Sequence, residues 1–146
     1  MSDETNNALA ITLLSEVMTN DGLIRSKLSK VLPKGMELSH FSVLNHLASS
    51  GVERSPAQLA SSFHVTRGAM TNTLNRLELS GYVHIRPDWD DARRKMVAIS
   101  PAGRQAQQAA LSAISPVIID LVRDLGSEKL RSVLPILREL RLSLGG

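Results

Sequence analysis

The sequence predicts a mainly α fold with a small β-hairpin wing: a winged helix-turn-helix with N- and C-terminal dimerisation helices. Three observations predict it. Ser55-Pro56-Ala57-Gln58 and Thr66 are start signals for two helices that follow one another closely. Segments 82–86 and 95–100 alternate apolar and polar residues around the charged tip Asp88-Trp89-Asp90-Asp91-Ala92-Arg93-Arg94-Lys95. Long apolar-periodic segments lie at both ends of the chain. The 146 residues suit one domain, with 7–33 and 101–146 as dimerisation helices and 38–100 as the winged lobe.

The first helix is expected to start near Asn7, with Leu9, Leu13, Val17, Ile24, Leu28 and Val31 at roughly helical spacing. Asp21-Gly22 should loosen its middle, and Pro33 with Gly35 ends it. In the second helix Ser39 is the expected N-cap, with Leu38 stapled onto Val43. Phe41, Leu44 and Leu47 form its buried stripe, and Ser50-Gly51 stops it. The third helix has the clearest start, a capping box of Ser55 and Gln58 with Pro56 in the first helical position. Leu59 and Ala60 point inward, and Phe63 ends this helix. His64-Val65 makes the turn, Thr66 caps the fourth helix, and Gly81 terminates it after about Ser80.

Val83 and Ile85 then alternate with polar neighbours, and Lys95-Met96-Val97-Ala98-Ile99-Ser100 returns in the same pattern. This is a two-stranded ribbon whose loop holds Pro87 and the acidic run. Ser100-Pro101 opens a long helix with the seam Ala106, Ala110, Ile114, Val117, Leu121 and Leu125. Pro116 should kink it or split it. Gly126-Ser127 begins the last helix, with Leu130, Val133, Leu134, Leu137, Leu140 and Leu144 inward and a bend at Pro135. The flanking helices are apolar on much of their surface, especially at Val117-Ile118-Ile119. They pack either on the chain's own core or on a second copy; the homodimer is preferred, because the first and last helices have little else to cover.

Composition narrows the function. The chain has no cysteine, which removes disulfides, thiolate metal sites and cysteine redox sensing. Aromatic residues are 3% of the chain, too few for the stacking platforms that hold single-stranded nucleic acid. The net charge of +3 is a mild bias, so where the charge sits matters more than its sum. Asp3 and Glu4 precede no apolar core with a basic flank, and no apolar run approaches the roughly 20 residues that span a bilayer. A cytoplasmic protein without membrane contact is expected. His40, His46, His64 and His84 are scattered and read as surface or satisfied histidines, so no metal and no cofactor is expected. There is no phosphate-cradling glycine loop, paired-histidine metalloprotease motif or nucleophile elbow, which argues against an enzyme.

The candidate reading element is the fourth helix. Met70, Leu74 and Leu77, with Thr73 beside them, face inward. Arg67, Gly68, Thr71, Asn72 and Asn75 lie opposite, followed by Glu78. Such a face is either an ordinary solvated surface or one that approaches base edges, with Asn suited to adenine and Thr to a thymine methyl. Gly68 costs about 1 kcal/mol of helix propensity relative to Ala unless close approach or the helix start justifies it. In the wing, Arg93, Arg94 and Lys95 crowd one end of the loop and Asp88, Asp90 and Asp91 the other. Either this loop neutralises itself in solvent, or Asp91 holds the Arg93 guanidinium in a fork-like pair and aims it into a minor groove; the preceding helix favours the second.

On these residues the sequence resembles the MarR (multiple antibiotic resistance regulator) family of winged-helix transcription factors. The matching stretches are Ser55-Pro56-Ala57-Gln58-Leu59-Ala60, Val65-Thr66-Arg67 and Arg76-Leu77-Glu78-Leu79-Ser80-Gly81-Tyr82-Val83. The most specific runs from Asp91-Ala92-Arg93 through Ile99-Ser100 to Gly103, similar to the family's wing signature of Asp-x-Arg, a short apolar strand, Leu-Thr and Gly. Ile99-Ser100 stands where the family has Leu-Thr.

The resemblance implies a homodimer on near-palindromic double-stranded DNA, commonly a repressor, with one recognition helix per half-site. By position it turns Arg67, Gly68, Thr71 and Asn72 to the major groove, Asn75 and Arg76 toward the phosphates, and Arg93 into the minor groove, with Arg94 and Lys95 beside it. Family members are often released by small aromatic or anionic effectors; the residues here identify none. The rival reading is a winged helix that docks a protein through the same face, which an apolar or aromatic recognition surface would favour.

Overall fold

The computed structural model describes residues 2–146. Its element order is α1 (Asp3–Val31), α2 (Leu38–Ser50), α3 (Pro56–Ser62), α4 (Arg67–Leu79), β1 (Val83–Pro87), β2 (Lys95–Ile99), α5 (Pro101–Leu125) and α6 (Ser127–Ser143). This is the expected mainly helical fold with a hairpin wing. The chain divides into two compact units, one ending at Ala113 and the next beginning at Ile114, and α5 runs through the boundary.

The first unit is built around a single apolar core. Val43, Leu44 and Leu47 of α2, Leu59 and Ala60 of α3, and Met70, Leu74 and Leu77 of α4 meet Val83 and Val97 from the two strands. Each fully buried Leu or Val there contributes roughly 1.5–3 kcal/mol by leaving water. The strands pair antiparallel, with Val83 opposite Ile99 and Pro87 opposite Lys95, so Pro87 belongs to the strand and not to the loop. A bridge that the periodicity does not reveal adds Arg54 to the edge of β2: Arg54 N–H donates to Val97 O (3.1 Å) and Val97 N–H to Arg54 O (2.7 Å). The wing is thereby tied to the segment between α2 and α3.

The helix starts follow local chemistry. In α3, Ser55 Oγ accepts from Gln58 N–H (3.1 Å), and Gln58 Oε1 accepts from Ser55 N–H (2.9 Å), as the capping box requires. In α2 the N-cap is Glu37 and not Ser39: Glu37 N–H donates to His40 Nδ1 (3.1 Å), and Ser39 lies inside the first turn. In α1 the start is Asp3 and not Asn7, because Ser2 Oγ accepts from Thr5 N–H and two acids occupy the positive end of the helix. Asp21-Gly22 leaves α1 unbroken; the Asp21 carboxylate accepts from Arg25 Nε one turn on (3.0 and 3.1 Å). No α1 residue is buried. The histidines divide: His64 and His84 are exposed, and His40 is buried with Nδ1 partnered. His46 departs from the expectation, since its buried Nε2 has no partner and its ring packs edge-on to Phe63 at 5.4 Å.

The junction of the wing with α5 depends on a close approach. Ser100 Oγ donates to Gly81 O (2.6 Å) and accepts from Gly103 N–H (2.9 Å), while Ser100 N–H donates to Tyr82 O (2.9 Å). A Cβ on Gly103 would lie 2.0 Å from Tyr82 O, so only glycine fits there. In the second unit, Pro116 and Pro135 lie inside α5 and α6 without splitting either, and Gly126 starts α6 at φ 84°. Leu144 caps the end of α6. No α6 residue is buried; Val133, Leu134, Ile136, Leu137 and Leu142 are exposed.

Candidate nucleic-acid interface

The orientation of α4 follows from its cap and its core residues. Thr66 Oγ1 accepts from Ala69 N–H (3.1 Å), which starts the helix at Arg67. Met70, Leu74 and Leu77 are buried at i, i+4 and i+7 and fix the rotation of the helix. Arg67, Gly68, Thr71, Asn72 and Asn75 are consequently all exposed on the other side. Thr73 is half-buried, with its hydroxyl donating to Ala69 O (3.2 Å). Arg76 is exposed at the margin of this face, where it lines a cavity of about 410 Å³ with Lys34, His40 and Tyr82. Burial holds the His40 imidazole below its ordinary pKa, against the raising effect of Glu37 and with a smaller lowering one from Arg76.

Gly68 is informative because its own fold does not require it. A Cβ built there meets nothing within 4 Å. Alanine would fit, so packing within the chain gives no reason for the missing side chain, although Gly68 stands second in α4, where the helix start lowers the cost of glycine.

The wing tip is a closed turn. Asp88 N–H donates to Arg94 O (2.9 Å), Arg94 N–H to Asp91 O (2.9 Å), and Asp90 N–H to Asp88 Oδ1 (3.1 Å). Asp91 Oδ1 accepts from both the backbone N–H and the Nε of Arg93, each at 3.1 Å. The pair is therefore not the expected fork: one carboxylate oxygen takes both bonds. Neither terminal guanidinium nitrogen of Arg93 has a hydrogen-bond partner among the described residues, and the side chain is 91% exposed. The Arg93 side chain, then its backbone N–H, hold the Asp91 carboxyl below the usual carboxylate range. Arg94 and Lys95 are exposed beside it. The arrangement presents a charged, hydrogen-bonding group with its donors unspent.

Several parts of this surface escape sequence reasoning. Arg86 is held by the Glu53 carboxylate and donates to Pro87 O (2.8 Å). Its guanidinium lies over the Trp89 ring at 4.5 Å, and Trp89 is 83% exposed. Leu79, at the end of α4, is 89% exposed. Arg86 and Trp89 are three residues apart, a visible signal, but Glu53 comes from another segment and only the fold brings it there. Among the described residues no three His, Cys, Asp or Glu side chains are grouped to hold a metal, and no helix is long and apolar enough to cross a membrane.

A family model described as MarR family matches residues 34–94, from the loop before α2 to the wing tip. A Bacillus subtilis protein, YdgG, described as an uncharacterized HTH-type transcriptional regulator, is 31% identical over 94 residues. That match covers 63% of this chain and 62% of the relative, so the chain spans less than two thirds of that relative's length. The transcriptional regulator BldR from Sulfolobus solfataricus superposes with a TM-score of 0.73 at 25% identity, covering 95% of this chain and 99% of that one. A mutant of MarR from E. coli, complexed with operator DNA, gives a TM-score of 0.75 at 20% identity over the same shares, a likeness of fold.

Proposed function

We propose that the chain is a member of the MarR family and a sequence-specific, double-stranded-DNA-binding transcriptional regulator. It acts in the cytoplasm as a homodimeric repressor of a near-palindromic operator, and not as an enzyme. One observation carries this reading: a polar face of α4 stands beside a wing whose Arg93 is anchored through Nε and leaves its terminal nitrogens unspent. A guanidinium held in that way loses little freedom on binding and keeps the donors that a minor groove accepts.

The roles divide by position. Arg67, Gly68, Thr71 and Asn72 take the major-groove edges, and Asn75 and Arg76 lie nearer the phosphates. Arg93 enters the minor groove, with Arg94 and Lys95 on the backbone and Asp91 as the positioning residue. Two copies place two recognition helices on half-sites about 10 bp apart. A small effector has room in a cavity of about 540 Å³ lined by Arg25, Leu28, Phe41, Phe63 and Met70, within the usual range for ligand pockets.

Salt dependence tests the reading. Affinity for duplex DNA should fall by orders of magnitude between about 50 and 200 mM salt, as counterions released from several phosphates demand. A nearly flat salt response, or no duplex binding by folded protein, would instead mark the same face as a protein-docking surface.

A further inference from the structure

We propose that Trp89 is a DNA-contacting side chain, an apolar wedge that packs against the sugar edges of the groove Arg93 enters. This rests on the DNA-binding reading above and adds to it a contact that none of the charged residues supplies. A lone exposed apolar residue is ordinary on a protein surface and by itself needs no function. Trp89 differs in being held. The Glu53 carboxylate fixes Arg86, Arg86 also donates to Pro87 O (2.8 Å), and its guanidinium lies 4.5 Å from the indole centroid. One face of the ring is thereby clamped by a cation, yet 83% of the residue remains open to solvent.

The tip ties this ring to the reading arginine. Asp88 N–H to Arg94 O and Arg94 N–H to Asp91 O close the turn that contains both Trp89 and Arg93. Asp90 N–H on Asp88 Oδ1 stiffens the segment between them. The indole and the guanidinium therefore belong to one hydrogen-bonded turn, four residues apart, so a duplex that meets the tip meets both. Minor-groove readers combine these chemistries, basic and amide side chains in the groove and apolar wedges at base steps. A ring fixed before binding loses little rotamer freedom on contact, which favours affinity.

Trp89 is the sole tryptophan, so intrinsic indole emission reports this position alone. The experiment uses full-length protein and a duplex that it selects from a random pool. Binding is read by anisotropy of labelled duplex, and Trp89 emission is read in parallel with unlabelled duplex. The expected results are a saturable change in emission that tracks binding, and an affinity about tenfold weaker for Trp89→Ala. Trp89→Phe should recover most of that loss, and both variants should melt near the parent temperature. Binding by anisotropy with unchanged emission and an unaffected Trp89→Ala overturns the proposal and leaves the DNA reading standing. An emission change that follows protein concentration without DNA assigns the ring to a contact between copies and also overturns it. If no duplex binds at all, both readings fall.

Discussion

At the scale of single residues, Arg93 and Gly68 carry the sharpest expectations. Arg93→Ala should weaken operator binding by about 1–3 kcal/mol, measured by anisotropy, without changing the melting curve. Asp91→Ala should cost less, because it frees the guanidinium to wander but leaves its charge in place. Equal losses would mean that Asp91 does more than position Arg93. Gly68→Ala separates folding from binding. A Cβ there meets nothing in the chain, so the variant should be at least as stable as the parent, with a gain below the roughly 1 kcal/mol of a helix interior because Gly68 lies in the first turn. The same methyl should weaken duplex binding if the helix approaches bases closely there. A variant that is both more stable and equally tight would show that the glycine serves no contact. His46 stands apart: its Nε2 is buried without a partner, and we have no physical account of it.

At the scale of elements, the junction between wing and α5 is the least forgiving part of the fold. Gly103→Ala drives a methyl to within 2.0 Å of Tyr82 O, the same oxygen that accepts from Ser100 N–H. The strand end and helix start must separate, and the loss should be about 3 kcal/mol, read as a lowered denaturation midpoint. An unchanged midpoint would contradict the close approach. The element starts differ in how readable they are. The Ser55 cap with Pro56 and Gln58 was legible because its partners are within three residues and the chemistry is local. The Glu37 start of α2 was not, since His40 substituting for an acidic or amide partner is outside the usual signal and Ser39 is a plausible decoy. The Arg54–Val97 bridge and the Glu53–Arg86 pair join distant segments, and periodicity holds no record of such contacts. In the wing, Asp91 beside Arg93 was readable from spacing, but the single-oxygen geometry was not.

At the scale of the whole molecule, the proposed homodimer makes a claim on the exposed apolar surface. Leu9, Ile11, Met18 and Ile24 of α1 are more than half exposed, as are Ile119 of α5 and Ile136 and Leu142 of α6. Exposed apolar side chains on α1, and separately on α5 and α6, are what the second copy of the proposed dimer would cover. Sedimentation equilibrium should return twice the chain mass at micromolar concentration, and a monomer there would remove the basis for two recognition helices on one site. The claim that unites helix face, wing and dimer is that this molecule reads a two-fold symmetric DNA sequence. Selection of bound duplexes from a random pool at moderate salt tests it most directly. A near-palindromic motif with half-sites about 10 bp apart is expected; recovery of no motif by folded, dimeric protein would refute it.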